Sequence, residues 1–412
     1  MISASSSFID ALRFGNYLSI ARLTVLTNGV ATQYQVPISD MTVTVDRNSE
    51  YRRQGQMTAE PTIEVPPSVL VPTTPQAVLA PFGNEIFAEF AVITDPADLN
   101  SPNNEWIPLG TFAIATSVAE DSTVNVVITL DLYDRSWVIA QRKLLAPYNV
   151  PAAGGDFPAE IEALLNQVWA QSSNMPALQY NITPTSYVVP SGTYNQGEDP
   201  WQAALDMAMS AGYELFFDVN GVVTGYPIPD PTTRVTAWTF NENSVGVDGI
   251  LNPPNTSDYA VSQSPYSTPV GVTVTMTRDG IFNDFWVSAT GPNNAGGTGY
   301  TTPVQVQAAD NNPASPTYIG GGMGNVPSFV TDSLITTSAQ ALAEAQYDLA
   351  QGLAKSWTVS VSTPPNPLFD VDDVYAVVNP RLGMASTRVV TDTISFSCRY
   401  DVACVLTGRV VP

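Results

Sequence analysis

The stretch PWQAALDMAMSAGYELFFDVNGVVTGYP, Pro200–Pro227, sets the organisation of the chain. Asp199 or Glu198 can cap a helix here, and Pro200 suits its first turn, where no backbone N–H is missed. Trp201, Ala204, Leu205, Ala208 and Met209 recur at helical spacing and predict one apolar face. Gly212 fits the left-handed residue that ends a helix. Tyr213–Val219 then runs into Asn220-Gly221, a strong hairpin signal. Val222–Tyr226 returns, and Pro227 stops the strand. The unit has no obvious chemistry of its own. Its neighbours on both sides read as β, so it stands as an α+β module between two β regions.

Composition points the same way. Of 412 residues, 44% are apolar, enough for real cores, and only 13% are charged. Pro (34) and Gly (27) are plentiful, which favours strands and turns over long helices. At roughly 150 residues per domain the length predicts two to four domains. The net charge is −23, from 38 acids against 15 bases. That is the reverse of a nucleic-acid binder, whose phosphate contacts need Lys and Arg. Lys143 and Lys355 are the only lysines, so an anionic membrane surface is a poor partner. No run reaches the length of a membrane span, and no stable membrane insertion is expected. The N-terminus lacks a basic region followed by an apolar core, so a signal peptide is not expected and assembly is placed in the cytoplasm. Cys398 and Cys404 flank a turn and are expected to stay reduced there.

Taken in order, Phe8–Arg22 has weak helical spacing. Arg22–Leu26, a turn at Asn28-Gly29 and Thr32–Ile38 read as a hairpin. Met41–Asp46 alternates, with Met41, Val43 and Val45 on one side and Thr42, Thr44 and Asp46 on the other. Gly55–Ala59, Glu85–Ile93, Trp106–Ala115 and Thr123–Tyr133 are further strands around a Pro-rich stretch, Pro61–Pro81. This predicts a first β-barrel or sandwich over 1–145. Asp134–Lys143 reads as a short helix. Asp156–Ala170 is a stronger one, capped by Asp156 and striped by Ile161, Leu164, Leu165, Val168 and Trp169. With Pro200–Pro227 it makes the α+β module, 146–230. A second barrel is expected over 231–363, with strands Val272–Met276, Asn283–Gly291 and Ser356–Ser362. It includes the helix Ser338–Leu353, on which Ala341, Ala345, Leu349 and Leu353 align beside Leu342. Gly291–Gly299 and Asp310–Gly324 read as loops. A C-terminal meander over 364–412 closes the chain with Val374–Val378, Arg388–Ser397 and Val402–Val411. The fold class is therefore mainly β, two barrel-like domains flanking a small α+β module.

Catalytic signals are absent. Without histidine, Ser-His-Asp triads, Cys-His pairs and the commonest general base are excluded. No phosphate-cradling glycine loop opens a helix, and Gly320-Gly321-Gly322 reads as a connector. Asp370-Val371-Asp372-Asp373 lacks EF-hand spacing and reads as a polar turn entering a strand rather than a Ca²⁺ site. Glu85 and Glu89 share a strand face, as a glycosidase pair would, but read as ordinary exposed carboxylates. No catalytic, cofactor or metal site is expected. Arg47, Arg52 and Arg53, beside Asp46, form the one dense basic cluster. It reads either as a subunit contact paired with acids or as a solvated turn.

Several of these stretches, in this order, carry a resemblance. Met41–Arg53 (MTVTVDRNSEYRR), Trp106–Phe112 (WIPLGTF), Pro200–Pro227, Asn283–Gly291, Asn311–Phe329 (NNPASPTYIGGGMGNVPSF) and Ser338–Leu353 resemble tail-tip (minor tail) proteins of long-tailed phages of actinobacteria. That family is similar to the baseplate hub proteins of contractile injection machines. The resemblance implies a homotrimer in the virion, at the distal tail tip. Two barrels per chain would surround a channel that continues the tail tube and lets DNA pass without specific binding. It implies distal tail, tail tube, tape measure and other tail-tip proteins as partners, and no enzymatic activity. Nothing long follows Pro412, so fibre or peptidoglycan-cleaving functions are expected of other proteins. A receptor- or carbohydrate-binding tail adhesin is the alternative, suggested by Tyr259, Tyr266, Tyr300 and Tyr318. For a hub, the polar strand faces at Thr42, Thr44 and Asp46 and at Thr273 and Thr275 are expected to meet a lumen or a subunit seam. The lumen is expected to be neutral to acidic, and the Arg52-Arg53 turn to point to a protein partner.

Overall fold

A computed structural model describes residues 2–14, 18–93, 104–122, 125–170, 175–242, 266–267, 270–289, 304–332, 334–335, 337–399 and 402–411. The first β region opens with α1 (Ser6–Phe14) and continues through β1 (Leu18–Thr27), β2 (Val30–Gln35), β3 (Ile38–Asp46) and β4 (Arg53–Ala59). After the short α2 (Pro67–Leu70) come β5 (Asn84–Ile93), β6 (Trp106–Asp121) and β7 (Val126–Tyr133). The helical spacing of Phe8–Arg22 therefore holds only to Phe14, because Arg22 lies in β1 opposite Glu89.

The α+β module begins with α3 (Arg135–Gln141), whose cap Asp134 accepts from Ser136 N. It continues with β8 (Tyr148–Val150), β9 (Gly155–Asp156), α4 (Phe157–Trp169), β10 (Tyr180–Ile182), β11 (Val188–Val189) and β12 (Gly192–Tyr194). Next come α5 (Pro200–Ser210), β13 (Tyr213–Phe217) and β14 (Val223–Pro227). Asp199 caps α5 by accepting from Trp201 N and Gln202 N, and Gly212 follows at φ 72°. The two helices pack apolar faces together, Ile161, Leu164, Leu165 and Val168 against Trp201, Ala204, Met207 and Ala208. The sequence stripe on α5 is rotated by a fraction of a turn. Met207 is buried and Met209 is 40% exposed, because the face centres on Ala204.

The rest comprises β15 (Thr236–Asn241), β16 (Tyr266–Ser267), β17 (Gly271–Met276), β18 (Asp284–Ala289), β19 (Val304–Ala309) and β20 (Pro327–Asp332). These are followed by α6 (Ser338–Ala354), β21 (Trp357–Thr363), β22 (Val374–Asn379), β23 (Met384–Ser397) and β24 (Cys404–Val410). A full capping box, Thr337 with Gln340, starts α6. Strands β19, β18 and β20 form a separate sheet covered on one face by α6. Among the described residues no helix is long and apolar enough to cross a membrane.

Strands of the two expected barrels are linked by main-chain ladders. They join one 14-stranded sheet, along β16-β15-β22-β23-β3-β4-β7-β6-β5-β1-β2, with β17, β21 and β24 branching from β23. Among the described residues this path does not close. Strand β23 makes the join. Its first half pairs with β22 (Tyr375↔Val389), and its second half pairs with β3 on the same edge (Ile394↔Val45). Along the opposite edge runs β24, with a bulge between Thr391 and Thr393. The core is correspondingly continuous. Met41, Val43 and Val45 lie buried with Trp238, Val361 and Phe396, and Phe90 meets Phe396 edge-on at 5.0 Å. Alternation reports which side of a strand is buried. It says nothing of which strand lies beside it, and that is why the sequence divides what the fold unites.

Candidate functional site

The densest chemistry lies where the first β region, the module and the C-terminal strands meet. The turn between β3 and β4 carries Arg47, Arg52 and Arg53, the face of β13 turned away from the module core carries Glu214, and the turn into β22 carries Asp370 and Asp372. Arg52 bridges Glu214 and Asp372, with Nη1 and Nη2 each 3.3 Å from a carboxylate oxygen. Its guanidinium also lies 3.8 Å from the centre of the Phe216 ring. Arg47 donates to Glu214, and its Nε lies 2.8 Å from Asp372 Oδ1 in an ion contact. Tyr347 of α6 accepts from Arg47 at 3.4 Å. Arg53 holds both oxygens of Asp370, at 2.8 and 2.9 Å. Arg234 donates to the carbonyl of Asp372, a residue at φ 68°. Beside this knot, Arg409 clasps Asp392, the bulge residue of β23, at 2.7 and 2.8 Å.

The side chains of Arg47, Arg52 and Arg53 are nearly sealed from solvent. The basic cluster is thus neither a solvated turn nor a subunit contact, since its acids come from the same chain. Burial and the neighbouring Glu214 push Asp372 up to about 7, against the pull of Arg47 and Arg52. Burial also opposes charge on Glu214, but Arg47 and Arg52 overcome it and hold Glu214 below the usual carboxylate range. Burial likewise works against Asp370, and Arg53 and Arg52 hold it low.

Glu85 and Glu89, expected to be exposed, are buried instead. Arg135 donates to Glu85 from Nε and Nη2 at 2.7 and 2.8 Å, and to the carbonyl of Gly221 at 2.7 Å. Thr111 adds a bond to the carbonyl of Val219. The tip of the β13–β14 hairpin is thereby fastened to β5 and β6. Glu89 accepts from Arg22, which stacks 4.0 Å above Trp106.

A cleft of about 480 Å³ opens beside the knot, between the 47–50 turn, α5 and β13. Trp201, Met209 and Phe216 give it apolar wall, and Glu50, Asp206 and Glu214 give it acid. Among the described residues no group of three or more Cys, Asp or Glu is placed to hold a metal ion. The Asp370–Asp373 segment is a turn entering β22, and its first two carboxylates, Asp370 and Asp372, are engaged by arginine. Both cysteines are free thiols, and burial pushes Cys404 up to about 12. Thr42, Thr44 and Asp46 are half-buried opposite buried Met41, Val43 and Val45, while Thr273 and Thr275 are exposed. Tyr259, Tyr300 and the loop 291–299 lie outside the described residues, as does the side chain of Tyr266; Tyr318 is half-buried.

Glu214, Arg135, Asp392 and Arg409 escape the sequence reading. The signal that could have found two of them is a lone acid in an otherwise apolar strand. Glu214 sits in YELFF and Asp392 in VVTDTI. A buried carboxylate there needs a cation or a full set of hydrogen-bond donors.

No protein-family profile matches the chain, and neither does any curated protein. Solved structures do. The tail protein from Neisseria meningitidis MC58 superposes with a TM-score of 0.60 at 12% identity, covering 95% of this chain and 96% of that one. The 43 kDa tail protein of prophage MuSo2 from Shewanella oneidensis gives 0.55 at 12% identity, over 95% and 98% of the two chains. Prophage tail protein gp18 from Listeria monocytogenes EGD-e gives 0.50 at 11% identity, over 94% of each. The fold of this chain is therefore one it shares, over nearly its whole length, with tail proteins from several bacteria, two of them encoded by prophages.

Proposed function

We propose that the chain is a structural hub of a phage tail tip, a homotrimer in the virion whose β regions surround a channel that continues the tail tube and passes DNA. The observation that carries this reading is the likeness to tail proteins over nearly the whole length of both chains. Distal tail and tail tube proteins, the tape measure protein and other tip proteins are its partners in this reading. The single sheet spliced at β23 suits a load-bearing ring segment, because the two β regions cannot shift against each other without breaking main-chain ladders. The charge arrangement suits a DNA conduit. Duplex DNA carries about one negative charge per 1.7 Å, so arginines lining a channel would hold it. Arg47, Arg52, Arg53, Arg135 and Arg409 are instead consumed by internal carboxylates. The reading is non-enzymatic.

The test is the copy number and shape of this protein in assembled tails. Class averages are expected to show three copies in a ring with a lumen, and any other copy number sinks the trimer. Turnover of a glycan or peptidoglycan by the purified chain would remove the non-enzymatic half.

A further inference from the structure

Among the described residues, the sheet β19-β18-β20 is covered by α6 on one face only. Phe285 and Val287 point to the helix side, where a side chain on Gly352 of α6 would meet the Phe285 ring. Alternation turns Trp286 and Ser288 to the other face, in register with Gln307 and Gln305 of β19 and with Phe329 and Thr331 of β20. Trp286 and Ser288 are half-exposed and the other four are exposed, Phe329 at 71%.

This open face is built. Asp284 is 1% exposed, and among the described residues no cation pairs with it. Its carboxylate accepts from Trp286 Nε1 at 3.1 Å, Gln307 Nε2 at 2.8 Å and Asn325 Nδ2 at 3.0 Å. The neighbouring Asn283 is fully buried. It donates to the carbonyls of Thr317 and Gly324 and accepts from Val326 N, each at 2.7 Å. One buried pair of residues thus pins the indole edge, an amide on β19 and the loop that delivers Asn325. A buried carboxylate is expensive unless fully hydrogen-bonded, and here all its bonds go to orienting surface side chains.

From this geometry we propose that the outer face of β19-β18-β20 binds a neutral saccharide. Rings of Trp286 and Phe329 offer apolar surface to the C–H face of a sugar ring, while Gln305, Gln307 and Ser288 present donors and acceptors to its hydroxyls. The charge balance selects this occupant. The face carries no Lys or Arg to hold a phosphate or sulfate, and Asp284 is already satisfied. Size selects it too. Three strands by six residues span about 10 by 20 Å, roughly 200 Å². That is far below the ~800 Å² per partner of a stable protein interface, yet enough for a short oligosaccharide.

The experiment titrates the full-length protein with neutral oligosaccharides (cello-, chito-, manno- and galacto-series) by calorimetry and tryptophan fluorescence. Heparin serves as the anionic control. One neutral series is expected to saturate a single site per chain and to shift the Trp286 emission. Phe329→Ala, a substitution at an exposed position, is expected to weaken binding by about tenfold or more. Failure of every neutral saccharide to bind would overturn the proposal. So would a Phe329→Ala variant that binds like the parent, preference for heparin, or burial of Phe329 between copies in the assembled ring. None of these outcomes bears on the copy number that tests the hub.

Discussion

Glu214 and Asp372 share two arginines, and their environments push the two carboxylates apart. Glu214→Gln leaves Arg47 with half its charge partner in a site closed to water, and is expected to cost about 3–5 kcal/mol in urea unfolding at pH 7. Asp372→Asn copies the protonated acid and is expected to cost far less. The pH dependence separates the two further. The folded chain keeps the Asp372 proton to about pH 7, the unfolded chain only to about pH 4. Stability from that group is full below pH 4 and drains away as pH rises to 7, and Asp372→Asn should abolish that slope. Glu214 acts with the opposite sign. Its depressed value stabilises the fold above the unfolded pKa and is lost as pH falls through the folded one. Urea midpoints from about pH 2 to 8 would check both, and equal losses in the two variants would refute the division. The arginine cluster and the Asp370–Asp373 turn are each legible in the sequence. Their pairing is not, because about 320 residues separate Arg52 from Asp372 and no local pattern spans that distance.

At the scale of elements, local chemistry is read well and partner choice is not. The caps of α4 and α5, the stripe of α4 and the hairpin after Gly212 follow from nearest-neighbour rules, and the structure places them as the sequence predicts. Strand β23 depends on something else, a change of partner at its bulge. There β24 approaches so closely that a Cβ on Gly408 would lie 2.0 Å from the carbonyl oxygen of Val390. The obstacle is backbone, which cannot turn aside as a side chain can. Gly408→Ala is therefore expected to push β24 from β23 and cost about 1–3 kcal/mol. Amide exchange should rise along β24 and at Thr391, and unchanged protection there would contradict the account. The glycine is visible in the sequence, but its purpose needs the bulge opposite to be known.

At the scale of the molecule, the likeness to tail proteins is a likeness of fold, and the hub proposed on it awaits the copy-number test. The continuous sheet behind that reading also fixes an order of events in synthesis. Strand β3 is made early, yet the strand that covers its free edge ends at Ser397. The amide of Ile2 likewise donates to the carbonyl of Leu368. A nascent chain therefore carries an open β edge until β23 is made. Contacts this distant in sequence form slowly, and open edges invite pairing with other chains. A fragment ending at residue 383, before β23 begins, is expected to aggregate and to lack a cooperative unfolding transition, even though it holds every strand of the first β region. A soluble, cooperatively folding 1–383 fragment would refute this. The seam is thus closed late, by a strand synthesised about 350 residues after the edge it covers.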